Sequence, residues 1–143
     1  MKQLKDFKAI SDIWDDEGTE FEIFYSKPSF FRDALAGLRG LQSIHEDFGK
    51  DAGKDMNEFY VSLGTIKISG DPEETLFMLM QGENWSPNGE AREFIKEKGL
   101  KHTSMSVGDV IKNAKSGRYY MVDMFGFSRI QEKSKTAEKD FEI

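Results

Sequence analysis

Apolar residues recur along this chain with two periods, and the changes of period mark its elements. Leu4, Phe7, Ile10 and Trp14 are spaced three, three and four apart, as on one face of a helix, and the acidic run "DDEG" at 15–18 breaks the pattern. "TEFEIFYS" at 19–26 then alternates: Phe21, Ile23 and Tyr25 fall on one face and Glu20, Glu22 and Phe24 on the other, which predicts a strand. A helical stripe returns with Phe31, Leu35, Leu38, Leu41 and Ile44, after a cap at Ser29, while Gly37 and Gly40 weaken it. A polar, glycine-containing stretch at 48–58 reads as a loop, and "FYVSLGTIKIS" at 59–69 as a second strand, with Gly64 marking a bulge or bend.

The second half uses clear start and stop signals. Asp71 is a candidate N-cap, Pro72 suits a first helical position, and Glu73 and Glu74 favour the positive end of a helix. Leu76, Phe77, Leu79 and Met80 supply its apolar face, with Met78 and Met80 read as core filler. The grammar repeats with Ser86 as cap, Pro87 as first helical residue and Gly99 as stop; Ala91, Phe94 and Ile95 point inward, and Arg92, Glu93, Lys96 and Glu97 outward. Two or three short strands follow from Asp109 to Ile130, with one turn at 114–117 and another near Phe125 and Gly126. The pattern predicts an α+β fold: a small antiparallel sheet with a C-terminal β-meander, covered by three to four helices on one face. One domain is expected over 1–130, followed by a charged, fraying tail at 131–143.

Composition narrows the roles. The 143 residues contain no Cys, so disulfides, thiolate metal sites and a Cys nucleophile are excluded. No apolar run approaches the ~20 residues that span a bilayer, and the N-terminal stretch lacks the apolar core of a signal peptide, so a cytoplasmic protein is expected. Twenty Lys and Arg against 26 Asp and Glu give a net charge of −6, which disfavours non-specific binding to duplexes and suits a partner with a basic face. The two signs are interspersed, unlike the lopsided surface of a dedicated DNA mimic.

The densest candidate chemistry lies in "LKHTSMSVGDVI", residues 100–111. His102, Ser104 and Asp109 invite a triad reading, but a triad is defined by geometry, and no Gly-x-Ser-x-Gly elbow is present. The competing reading is a turn into a strand, with Gly108 supplying positive φ, Asp109 bonding nearby backbone and Ser104 or Ser106 capping the turn. The only other histidine, His45, is far away, Asp51 and Asp55 do not match a calcium loop, and no phosphate-cradling glycine motif occurs. No cofactor or metal is therefore expected. Arg118 with Tyr119 or Tyr120 could form a contact anchor, since adjacent strand residues face opposite ways and one of the two tyrosines should be exposed. Trp85 reads first as a hydrophobic staple, and as an interface residue if exposed together with Arg92.

Two stretches, "NWSPNGEAREFIKEKGLKHTSMSVGDVI" and "GRYYMVDMFGFSRI", resemble small proteins of tailed phages. They are also similar to the YodL-like domain of phage and plasmid polyvalent proteins. The shared pattern, H-x-S-x-S-x-G-D-V-I followed by Y-x-V-D-x-x-G-F, falls on His102, Ser104, Ser106, Gly108 to Ile111, and then Tyr120, Val122, Asp123, Gly126 and Phe127. The resemblance spans roughly residues 85–130. It implies a mobile-element setting and no catalytic residues.

These readings lead to an expected function: a small acidic phage protein that is not an enzyme and binds a host or phage protein with a basic surface, in host takeover or counter-defence. Trp85, Arg92, His102, Arg118 and Tyr119 are the candidate binding residues. A nucleic-acid-associated role in replication and a small enzyme centred on His102 with Asp109 or Asp123 are the alternatives. An exposed hairpin edge could also pair with a second copy to make a homodimer.

Overall fold

The computed structural model describes residues 2–28, 59–69, 72–106, 108–123 and 126–129. The helix read from Ser29, the loop at 48–58, the cap at Asp71, the turn residue Phe125 and the tail at 131–143 lie outside them. Five strands, β1 (Thr19–Ser26), β2 (Tyr60–Ile68), β3 (Val110–Asn113), β4 (Tyr119–Asp123) and β5 (Gly126–Arg129), form one sheet in the order β2-β1-β3-β4-β5. Every neighbouring pair is antiparallel, and β3 to β5 make the expected meander. A 3-10 turn (Leu4–Asp6) and the short helices α1 (Lys8–Ile13), α2 (Pro72–Leu79), α3 (Gly82–Trp85) and α4 (Arg92–Glu97) complete the described chain.

The core lies where the strand alternation places it. Phe21, Ile23 and Tyr25 of β1 join Ile66, Ile68, Ile111 and Val122 from neighbouring strands, and Leu4, Phe7, Ile10, Leu76, Met80, Phe94 and Ile95 pack on them from the helical layer. Phe7, Trp85 and Phe94 meet edge to face, with ring centroids 5.1, 5.3 and 6.2 Å apart. The opposite sheet face is not wholly wet, because Phe24, Val110 and Met121, in register across three strands, are buried as well. Gly64 sits at the bulge: Ile23 pairs with Gly64 and Phe24 with Ser62, so Leu63 is the extra residue, and Gly64 has φ +114°.

The helix readings need two corrections. Phe77 (36% exposed) and Met78 (54%) lie on the outer side of α2, while Leu76, Leu79 and Met80 face in. Two consecutive residues, 77 and 78, fall about 100° apart on a helix and share the side that the core does not touch. Ser86 and Pro87 do not start a helix: they sit in a turn, and α4 begins at Arg92 with Ala91 as its N-cap. Ser86 still satisfies a donor at that start, since its Oγ accepts from Ala91 N–H at 2.9 Å. Gly99 is the stop as read: at φ +75° it lets its N–H reach Lys96 O (2.9 Å) and Leu100 N–H reach Ile95 O (3.1 Å).

Candidate functional site

The 100–111 segment closes one end of the core by joining the helical layer to the sheet. Met105 N–H donates to Met80 O, Gln81 Nε2 donates to Met105 O, and Gly82 N–H donates to Ser104 Oγ (2.7 Å). The Thr103 carbonyl accepts from both Tyr25 OH (2.7 Å) and Trp85 Nε1 (3.1 Å). Gly108, at φ +97°, then turns the chain into β3, where Gly108 N–H donates to Val122 O and Val122 N–H to Asp109 O.

Asp109 is the centre of this arrangement and is 0% exposed. Ser26 donates to its Oδ1 from N–H (2.9 Å) and Oγ (3.2 Å), and Ser106 N–H donates to Oδ2 (2.8 Å). His102 Nε2 lies 3.0 Å from Oδ2 and 3.2 Å from Oδ1, and its ring stacks on Tyr25 at 4.7 Å and 13°. Burial pushes the Asp109 carboxyl above its ordinary range, and His102 and the two backbone donors pull the other way. Tyr25 is pushed well above the usual phenol range by burial and by the Asp109 charge, so it remains a donor. An ionised Asp109 can only accept, which requires a proton on His102 Nε2.

Chemically this is an imidazole oriented by a buried carboxylate. A triad would also need a serine hydroxyl on the imidazole. Ser104 Oγ instead accepts from Gly82, Ser106 Oγ donates to Ser104 O at 2.9 Å, and Ser26 Oγ is on the carboxylate itself. His102 retains a side-chain exposure of 19%, so part of its ring is reachable from solvent. Among the described residues, no group of three or more His, Asp or Glu could hold a metal ion.

The other candidates are dispersed. Trp85 is 1% exposed and belongs to the core, which removes it from any surface shared with the exposed Arg92. An indole of that size at the meeting point of Phe7 and Phe94 gains more from burial than from solvent. Arg118 and Tyr119 are both half-buried at the β3–β4 hairpin; Tyr119 packs against Phe24 at 6.3 Å, with Lys112 Nζ 5.4 Å from its ring centroid. The expectation that one of Tyr119 and Tyr120 is exposed needs correction: they face opposite ways, but both are half-buried, because Phe24 is apolar cover on the outer face. Sequence reasoning missed Tyr25 and Ser26 as members of the site. The one usable signal was Tyr25 itself, a phenol on a core-facing strand position that needs a buried acceptor.

No protein-family model, curated protein or solved structure matches the chain.

Proposed function

We propose that this chain is a small, non-catalytic protein-binding module of a phage, working in the host cytoplasm and engaging a host or phage protein through that partner's basic face. The carrying observation is charge: the chain has a net −6, and Asp12, Asp16 and Glu17 are exposed around the turn between α1 and β1. Such a surface attracts a basic partner from a distance and raises the rate of encounter. The reading is further supported by the site above, where the groups suited to catalysis are engaged in holding the 100–111 segment to the sheet. Among the described residues, no helix is long and apolar enough to cross a membrane.

Expression of the tagged chain in bacteria, followed by affinity capture, tests this reading. It is supported by a retained partner with a basic face that is lost at high salt and in a variant carrying Asp12→Asn, Asp16→Asn and Glu17→Gln. An empty capture, together with unchanged host growth on expression, overturns it.

A further inference from the structure

The described surface carries a cleft whose charge opposes that of the whole chain. It has a volume of about 600 Å³ and lies between the N-terminal 3-10 turn, the β2 bulge and the end of α4. Its charged lining is Lys2, Lys5 and Lys98, with no carboxylate among the lining residues. The apolar wall is the half-buried Trp14, since the lining Leu4 and Leu63 are only 1% and 2% exposed.

Each lysine is held over an aromatic ring. The Nζ atoms of Lys2, Lys5 and Lys98 lie 5.3, 4.8 and 4.9 Å from the ring centroids of Phe7, Trp14 and Phe94. The three ammonium groups are thereby gathered around one space, which lowers the cost of collecting them on one anion. Among the described residues, three carboxylates touch the lining of the cleft: Asp6 accepts from Gln3 N–H (2.8 Å), Glu22 accepts from Ser62 Oγ (2.7 Å), and Asp16 Oδ1 is 4.0 Å from Lys5 Nζ and accepts from Trp14 Nε1 at 2.8 Å. An anion entering the cleft competes with this one long contact for Lys5. As Lys5 moves to the anion, it uncovers the indole face for a planar group.

We infer that the cleft binds a small polyanion joined to a planar ring, of the nucleoside polyphosphate class. The phosphates meet the three ammonium groups, and the base meets Trp14. This differs from the protein partner proposed above in using cationic groups where that proposal uses anionic ones; the two surfaces meet at Asp16, and the lysine variant leaves the carboxylates of that proposal intact. The chain's overall negative charge also suppresses diffuse polyphosphate binding elsewhere, so that measured affinity reports on the cleft.

The test uses the full chain, tagged at the C-terminus to leave Lys2 undisturbed, with ATP in metal-free buffer as the probe. The chain has two tryptophans, and Trp85 is buried, so Trp14 carries the fluorescence response. ATP is expected to quench it saturably, and calorimetry is expected to show affinity reduced about tenfold or more in the Lys2→Gln, Lys5→Gln, Lys98→Gln variant. Trp14→Phe is expected to weaken binding by about threefold. Tripolyphosphate and adenosine, each lacking one half of the ligand, are expected to bind more weakly than ATP. Absence of saturable ATP binding, unchanged affinity in the lysine variant, or tripolyphosphate binding as tightly as ATP overturns the inference. So does tighter binding of a decaglutamate peptide, which would assign the cleft to an acidic protein segment. Circular dichroism checks that the triple variant folds, and the single Lys98→Gln, expected to weaken ATP in the same direction, keeps the test decisive if it does not.

Discussion

Four donor groups from three residues converge on the two oxygens of Asp109 and fix three parts of the chain: the end of β1 through Ser26, the 100–111 segment through Ser106, and the stacked ring through His102. Both oxygens of the carboxyl group can accept, protonated or not, whereas the amide nitrogen of asparagine cannot, so Asp109→Asn turns an NH2 toward a donor. The expected loss is about 1–3 kcal/mol in urea denaturation. The folded Asp109 holds its proton more tightly than the unfolded one, so its contribution to stability is present below the ordinary carboxylate range and is lost as pH rises through the raised folded value. The stability difference between wild type and Asp109→Asn should accordingly shrink across that rise, measured as the urea midpoint at successive pH values. Tyr25→Phe keeps the ring under His102 but deletes the donor to Thr103 O and Met80 O; a loss of about 1–2 kcal/mol is expected, with the core otherwise intact by near-UV dichroism.

At the scale of elements, stop signals were easier to read than start signals. Gly99 ends α4 because the positive φ it adopts strains any residue with a Cβ, and this depends on the local chain alone. Gly99→Ala should cost about 1 kcal/mol, with Gly99→Asn costing less, by thermal unfolding; no atom lies within 4 Å of the added Cβ, so the cost is conformational and not steric. The start of α4 was misplaced for a related reason. "SPNGE" has the composition of a capped first turn, yet Trp85 is already held in the core by Phe7, Phe94 and Thr103, and the chain uses those residues to turn before the helix begins. Strands fared better, since alternation in β1 and the glycine in β2 respectively identified the buried face and the bulge.

Across the whole molecule, the tertiary packing separates residues that look alike in sequence. Met78 and Met80 are two apart, but only Met80 is in the core. Met78→Ala should stay within about 0.5 kcal/mol of wild type, whereas Trp85→Ala, which empties the contact of three rings, should cost about 3–5 kcal/mol. Both are read from equilibrium unfolding. Charge is likewise distributed by the fold: Lys98 joins Lys2 and Lys5, more than 90 positions away in sequence, to line one cleft of an acidic protein.

The sequence by itself determined what depends on neighbouring residues: the strand at 19–26, the turn at 114–117, the glycine that ends α4, the glycine that turns the chain into β3, and with them the antiparallel α+β class. Local periodicity and local φ preferences suffice for these. It also placed His102 and Asp109 near each other, seven residues apart. Only the tertiary structure decided that Asp109 would be buried, that Tyr25 and Ser26 from the far strand would complete its surroundings, that Trp85 would face inward, and that Lys2, Lys5 and Lys98 would meet. Those outcomes follow from which strands pair and which helices cover them, and pairing joins residues some 80 positions apart that carry no mark of each other in the chain.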